Sequence, residues 1–136
     1  MKTVATFEYL PRLDSDFGFS YETKITVTFV HKARRLETIA FLDSGADITV
    51  LPYRIGARLG LILSEGNKIE FATATGNRFV LSVHQIGLKI GESDFAIVRI
   101  GWAQTDEVEM LIGRLDVFNH FTFEFNHNKQ EIRVKQ

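Results

Sequence analysis

The chain has 136 residues, enough for one domain with a real hydrophobic core and too few for two full domains. Its 45% apolar and 24% charged residues are those of an ordinary soluble globular protein, and a net charge of -1 with no basic stripe gives no footprint for nucleic acid. The absence of cysteine excludes disulfides, thiolate metal sites and a cysteine nucleophile.

In chain order, the first segment is MKTVATFEYLP, which has no long apolar stretch of the kind a signal peptide needs. No run approaches the ~18 apolar residues of a membrane span. A cytoplasmic protein with no membrane partner is the expectation. TKITVTFV, residues 23–30, alternates with period two, placing Ile25, Val27 and Phe29 on one face and Lys24, Thr26 and Thr28 on the other. PYRIGARLGL reads as a helix: Pro52 suits a first turn, Gly60 a stop, and Ile55 and Leu59 share a face. RFVLSVHQIGLKIG and SDFAIVRIG read as strands, with Gly87, Gly91 and Gly101 as punctuation. RLDVFNHF, after Gly113, suits a second short helix. FTFEFNHNKQEIRVKQ reads as a terminal hairpin whose turn, NHNK, has Asn and His to take positive φ. No linker, low-complexity tract or internal repeat interrupts the chain. The expectation is a single mostly-β domain spanning residues 1–136, built as a closed or nearly closed barrel with one or two short helices.

One stretch does not fit a simple strand. FLDSGADITVLP, from Phe41 to Pro52, is apolar at both ends and carries Asp43, Ser44, Gly45, Ala46 and Asp47 between them. Desolvating a charge there costs several kcal/mol. A lone Asp-Ser-Gly more often marks a surface turn, its side chains bonding to nearby N–H groups. Apolar flanks on both sides are unusual for such a turn.

This context resembles the retropepsin-like aspartic proteases, the single-domain class that includes the retroviral enzymes. Phe41-Leu42-Asp43-Ser44-Gly45-Ala46-Asp47 matches their signature position by position. MLIGRLDVFNHF supplies the second landmark, Leu111-Ile112-Gly113-Arg114, with Gly113 placed 70 residues after Asp43. The resemblance spans roughly residues 22 to 134 and implies a retropepsin-like acid-protease barrel.

The resemblance further implies an aspartic endopeptidase without cofactor or metal, in which two carboxylates share one proton and activate water. This chain has one such triplet. The Asp-rich LDSDFG of residues 13–18 lacks the motif and the apolar approach. A homodimer is therefore implied, with Asp43 donated by each subunit. Ser44 would tie the two active-site loops together, and Gly45 would let a backbone N–H orient the carboxylate. Asp47 has two readings, a solvated or N-cap-like side chain or the partner of Arg114 at the edge of the peptide site. Gly113 and Arg114 are support for the loop. Ala46, where two-lobed relatives carry a hydroxyl, implies a less acidic pH optimum.

A flap is implied in KIEFATATGNRFVLSV, with Ala74-Thr75-Gly76-Asn77 as its tip; as a sequence the segment also reads as an ordinary hairpin. Thr75, Gly76, Ile112, Ala46 and Asp47 are the candidate substrate contacts, and Phe41 and Leu42 would help shape the pockets for an extended, partly apolar peptide. Trp102 reads as a core or edge residue or as a cleft lining. His31, His84, His120 and His127 lack metal-ligand spacing, and Asp106, Glu107 and Glu109 read as a solvated loop. The alternative is a catalytically silent peptide-binding or dimerisation module of the same fold. A small-ligand barrel with a fortuitous triplet is a third class, disfavoured by the paired Ile-Gly-Arg motif.

Overall fold

A computed structural model describes residues 1–14, 16–72 and 74–136; Ser15 of LDSDFG and Thr73 of the flap segment lie outside the described residues. The elements are β1 (Thr3–Glu8), β2 (Leu10–Asp14), β3 (Gly18–Glu22), β4 (Lys24–His31), β5 (Arg34–Leu42) and β6 (Thr49–Leu51). They are followed by α1 (Tyr53–Arg58), a 3-10 turn (Leu63–Glu65), β7 (Asn67–Ala72), β8 (Arg78–Lys89) and β9 (Ala96–Ala103). The chain ends with β10 (Leu111–Ile112), α2 (Val117–His120), β11 (Thr122–Asn126) and β12 (Glu131–Lys135).

The main sheet runs β4-β5-β10-β6-β9-β8, and a further β4–β8 pairing closes it into a six-stranded barrel. The fold is mostly β with two short helices, as expected. Closure leaves neither β4 nor β8 with an open edge along the paired stretch. Alternation in β4 works as read: Ile25, Val27 and Phe29 are fully buried. They join Ile86, Leu88, Val98, Ile100, Ile132 and Val134 in the main core. β7 hangs on β8 outside the barrel as an antiparallel hairpin, Phe71 opposite Phe79.

α1 is too short to be stable alone. Burial of Ile55 and Leu59 holds it on the barrel, and the chain leaves it through Gly60 at φ +74°. Trp102 belongs to the core. Its indole stacks on Tyr53 and donates Nε1–H to the Tyr53 carbonyl at 3.0 Å.

Two sequence expectations need correction. Gly87 and Gly101 do not end strands; they lie inside β8 and β9, and only Gly91 turns the chain, at φ 56°. In the β11–β12 turn the positive φ falls on Gln130, at 52°, rather than on Asn or His.

The two ends of the chain meet. β12 sits between β1 and β11, and Lys2 and Gln136 exchange reciprocal main-chain hydrogen bonds of 3.0 Å. β2 and β3 form a separate two-stranded hairpin, with Leu13 opposite Phe19. Among the described residues no helix is long and apolar enough to cross a membrane.

Candidate active site

The two motifs meet where β5 and β10 run parallel, Phe41 beside Leu111 and Leu42 beside Ile112. β5 ends at Leu42, and the Asp43 N–H continues the ladder by donating to the Ile112 carbonyl at 3.0 Å. The chain then turns. Gly45 N–H donates to Asp43 Oδ1 at 2.9 Å, and Ala46 N–H donates to the Asp43 carbonyl at 3.1 Å. A Cβ on Gly45 would stand 3.2 Å from that same carboxylate oxygen, so the missing side chain is what lets the amide approach.

Gly113 and its neighbours lie along the outgoing half of the loop. Arg114 N–H donates to the Ala46 carbonyl at 3.0 Å and Leu115 N–H to the Asp47 carbonyl at 2.9 Å. The fully buried Thr49 hydroxyl accepts Gly113 N–H at 3.1 Å. The Arg114 guanidinium ion-pairs with Asp47 and donates a second hydrogen bond to the Ser44 carbonyl, at 2.5 Å. Asp43, Ser44, Gly45, Ala46, Asp47, Gly113 and Arg114 therefore form one cluster. Both ends of Ser44-Gly45-Ala46-Asp47 are tied to the segment after β10.

The desolvation problem posed by the sequence is avoided in the chain. The apolar runs stop at Leu42 and restart at Ile48, and Asp43, Ser44, Gly45 and Asp47 are exposed. The Asp47 side chain retains 85% of its accessibility despite its ion pair. An exposed pair contributes little to stability by charge alone. The Arg114 fork acts mainly by fixing where the loop lies.

A layer further out, Arg99 of β9 makes a bidentate pair with Asp116, at 2.8 and 2.9 Å, while Arg99 N–H also donates to Asp116 at 2.9 Å. Hydrogen bonding from the Arg99 guanidinium holds the Asp116 carboxyl at about 2, well below the ordinary carboxylate range. Asp116 sits at φ 63°, two residues after Arg114. Sequence reasoning missed this pair, since nothing local links positions 99 and 116.

Leu111, beside Phe41 in the parallel pair, lines a cavity of about 250 Å³ together with Val50, Phe71, Phe79, Leu81, Val108 and the acidic Glu107 and Glu109. Val50 and Leu81 belong to a small apolar cluster with Ile48 and Ala103, separate from the main core. The β7–β8 hairpin supplies Phe71 and Phe79. Thr75 and Gly76 belong to the turn joining β7 to β8, and Gly76 is at φ +86°. Ile112, expected at the substrate, is fully buried in the main core; Leu111 reaches the cavity instead. The reason is strand alternation: adjacent residues of β10 face opposite ways. Leu42 is likewise a core residue. Phe41 lines a different groove, of about 460 Å³, with Lys24, Arg54, Met110 and the acidic loop. In that loop Asp106 is more than solvated: its carboxylate accepts Arg54 N–H at 2.8 Å in the first turn of α1.

Two of the histidines are tied into the fold. His31 Nδ1 lies 2.9 Å from the Leu59 carbonyl, and His84 Nε2 lies 2.9 Å from the Ser82 hydroxyl. Burial pushes the His84 imidazole below its ordinary value, and His31 pushes it the same way.

No family model matches the chain, and no curated protein matches it. Among solved structures, the fold is similar to the crystal structure of a retropepsin-like aspartic protease from Rickettsia conorii. The two share 14% identity over 95% of this chain and 99% of that one, with a TM-score of 0.57. At this identity the likeness is one of fold.

Proposed function

We propose that the chain is an aspartic endopeptidase that acts as a homodimer, with Asp43 of each subunit forming the catalytic pair. The observation that carries the reading is the Asp43 carboxylate itself. It stands exposed at a strand end, oriented by Gly45 N–H, on a loop clamped from behind by Gly113 and Arg114. A surface turn has no need of that clamp. The fold shared with an aspartic protease supports the same conclusion.

Two such carboxylates about 3 Å apart cannot both ionise readily, so one proton is shared between them. The ionised member takes a proton from water, and the protonated member gives one to the scissile carbonyl as the water oxygen adds to its carbon. As the resulting gem-diol collapses, the ionised carboxylate takes a hydroxyl proton and the protonated one gives its proton to the departing amine, which restores the singly protonated pair. Substrate lies extended, with an apolar side chain in the cavity lined by Val50, Leu81 and Leu111 and the β7–β8 hairpin closing over it.

The test is cleavage of a mixed peptide library between about pH 3 and pH 7. It is run with and without pepstatin, at several protein concentrations, beside Asp43→Asn. Pepstatin-sensitive cleavage that the substitution abolishes and dilution weakens is the expected result. A folded dimer that cleaves nothing at any pH would overturn the reading and leave a peptide-binding module of the same fold.

A further inference from the structure

The β2–β3 hairpin is amphipathic, and its apolar face is uncovered. Cross-strand pairs Pro11–Tyr21 and Leu13–Phe19 share one face, while Arg12–Ser20 and Leu10–Glu22 share the other. The second face is mostly polar and is tied to the body through Glu22, which pairs with Lys24 at 2.8 Å. On the first face Leu13 is 78% exposed and Phe19 68%. A two-stranded hairpin is marginal in water unless something packs on it. A contiguous apolar face of this kind marks an interaction site.

Its position says what covers it. The hairpin ends at Glu22, and the next residue, Thr23, accepts Leu42 N–H at 2.9 Å. The hairpin base is thus one residue from Asp43 across a strand pair, within about 10 Å. If Asp43 meets its own copy, the two-fold axis passes within a few ångströms of it, and whatever flanks the loop is brought to the second protomer. On the other flank, Leu115 and Phe118 are partly exposed apolar side chains fixed to the same loop through Leu115 N–H on the Asp47 carbonyl and Phe118 N–H on the Arg114 carbonyl. Of the terminal strands, β12 is paired on both edges inside the protomer and β1 on one.

We propose that the apolar face of the β2–β3 hairpin is the principal dimer contact, packing on the Leu115–Phe118 patch of a second copy of this chain. The contact is isologous, so each dimer contains it twice. This rests on the reading of Asp43 as half of a catalytic pair, because that reading places the two-fold axis.

The experiment is sedimentation velocity over a concentration series, performed in an Asp43→Asn background so that the assembly is read without catalysis. Leu13→Ser/Phe19→Ser should raise the dimer dissociation constant at least tenfold. Leu115→Ser should do the same from the other side, and the triple variant should lose little more than the hairpin variant, since both remove one contact. Ile97→Ser, an exposed apolar residue on β9, should change nothing. Circular dichroism melting confirms that each variant is folded. A dimer indifferent to the hairpin substitutions, or a chain monomeric at every concentration, overturns the proposal. So does a face needed for flotation with phosphatidylglycerol vesicles but not for the dimer. Cleavage is scored separately in the parent chain. A hairpin-dependent dimer that cleaves nothing retires the endopeptidase reading alone, and a cleaving dimer indifferent to the hairpin retires the interface alone.

Discussion

Gly113 lies against the main chain of Ile48 with no room for a side chain: a Cβ there would stand 2.5 Å from the Ile48 carbonyl carbon and oxygen and 2.8 Å from its nitrogen. The obstacle is backbone, which cannot rotate away. Gly113→Ala must therefore push apart the two segments that hold the Asp43 loop, and it strains the Gly113 N–H bond to the Thr49 hydroxyl. The expected loss of stability is at the upper end for an overpacked site, about 3 kcal/mol, in urea unfolding. Cleavage by whatever remains folded should fall further than stability does. A variant as stable as the parent would show that the two segments can separate freely.

Arg114→Lys separates charge from geometry. Lysine keeps the attraction to Asp47 but cannot also fork to the Ser44 carbonyl. Because the pair is exposed, the stability change should stay under about 1 kcal/mol. kcat/KM should nonetheless fall tenfold or more, since small displacements of a catalytic group are costly. Thermal melting beside peptide kinetics checks both halves. Equal losses in the two would make Arg114 a stability residue only.

Leu111 and Ile112 are neighbours with opposite assignments, and the pair shows what the sequence could convey. The Leu-Ile-Gly-Arg run marked the candidate site, but β10 has only two residues. Too short for an alternation pattern, it did not reveal which side chain faces out. Ile112→Ala should cost about 2–5 kcal/mol with the cavity it leaves. Leu111→Ala should cost less and shift cleavage toward bulkier substrate side chains, read by comparing peptide libraries. The reverse pattern would return Ile112 to the substrate.

The legible features were those written locally. The period-two face of β4 and the Pro52-to-Gly60 helix each depend on residues close in sequence, and each was found. What escaped was set by distant partners. Gly101 looked like a stop, yet it is a strand position where a side chain would strike Leu81. The β2–β3 hairpin escaped because LDSDFG stands out only as an acidic segment without the catalytic motif, and the residues facing one another across it, Leu13 and Phe19, are aligned only once the strands pair.

Gly56 belongs with these. As a residue inside α1 it looks like a weak point, since alanine is the better helix former by about 1 kcal/mol. Its Cβ, however, would overlap the Trp102 indole, which is pinned by its hydrogen bond to Tyr53 and by the ring of His84. Gly56→Ala should therefore destabilise by about 1–3 kcal/mol in spite of its helix propensity. Quenching or shift of the single tryptophan's fluorescence should report the displaced ring. A stabilised variant would mean that the indole moves aside at no cost.

The Arg99–Asp116 pair gives stability a dependence on acid that can be isolated. Hydrogen bonding to Arg99 lowers the folded-state value of Asp116 to about 2, so the unfolded chain binds this proton first as pH falls. The stabilisation is complete above the unfolded carboxylate value and drains away between roughly pH 4 and pH 2. Asp116→Asn removes the titration while keeping a residue type that tolerates φ 63°. Parent and variant should thus differ most at neutral pH, with the parent more stable. Their melting curves should converge as pH approaches 2, other carboxylates acting equally on both. A difference that stays constant from pH 7 to pH 2 would show that Arg99 does not hold this carboxylate in solution.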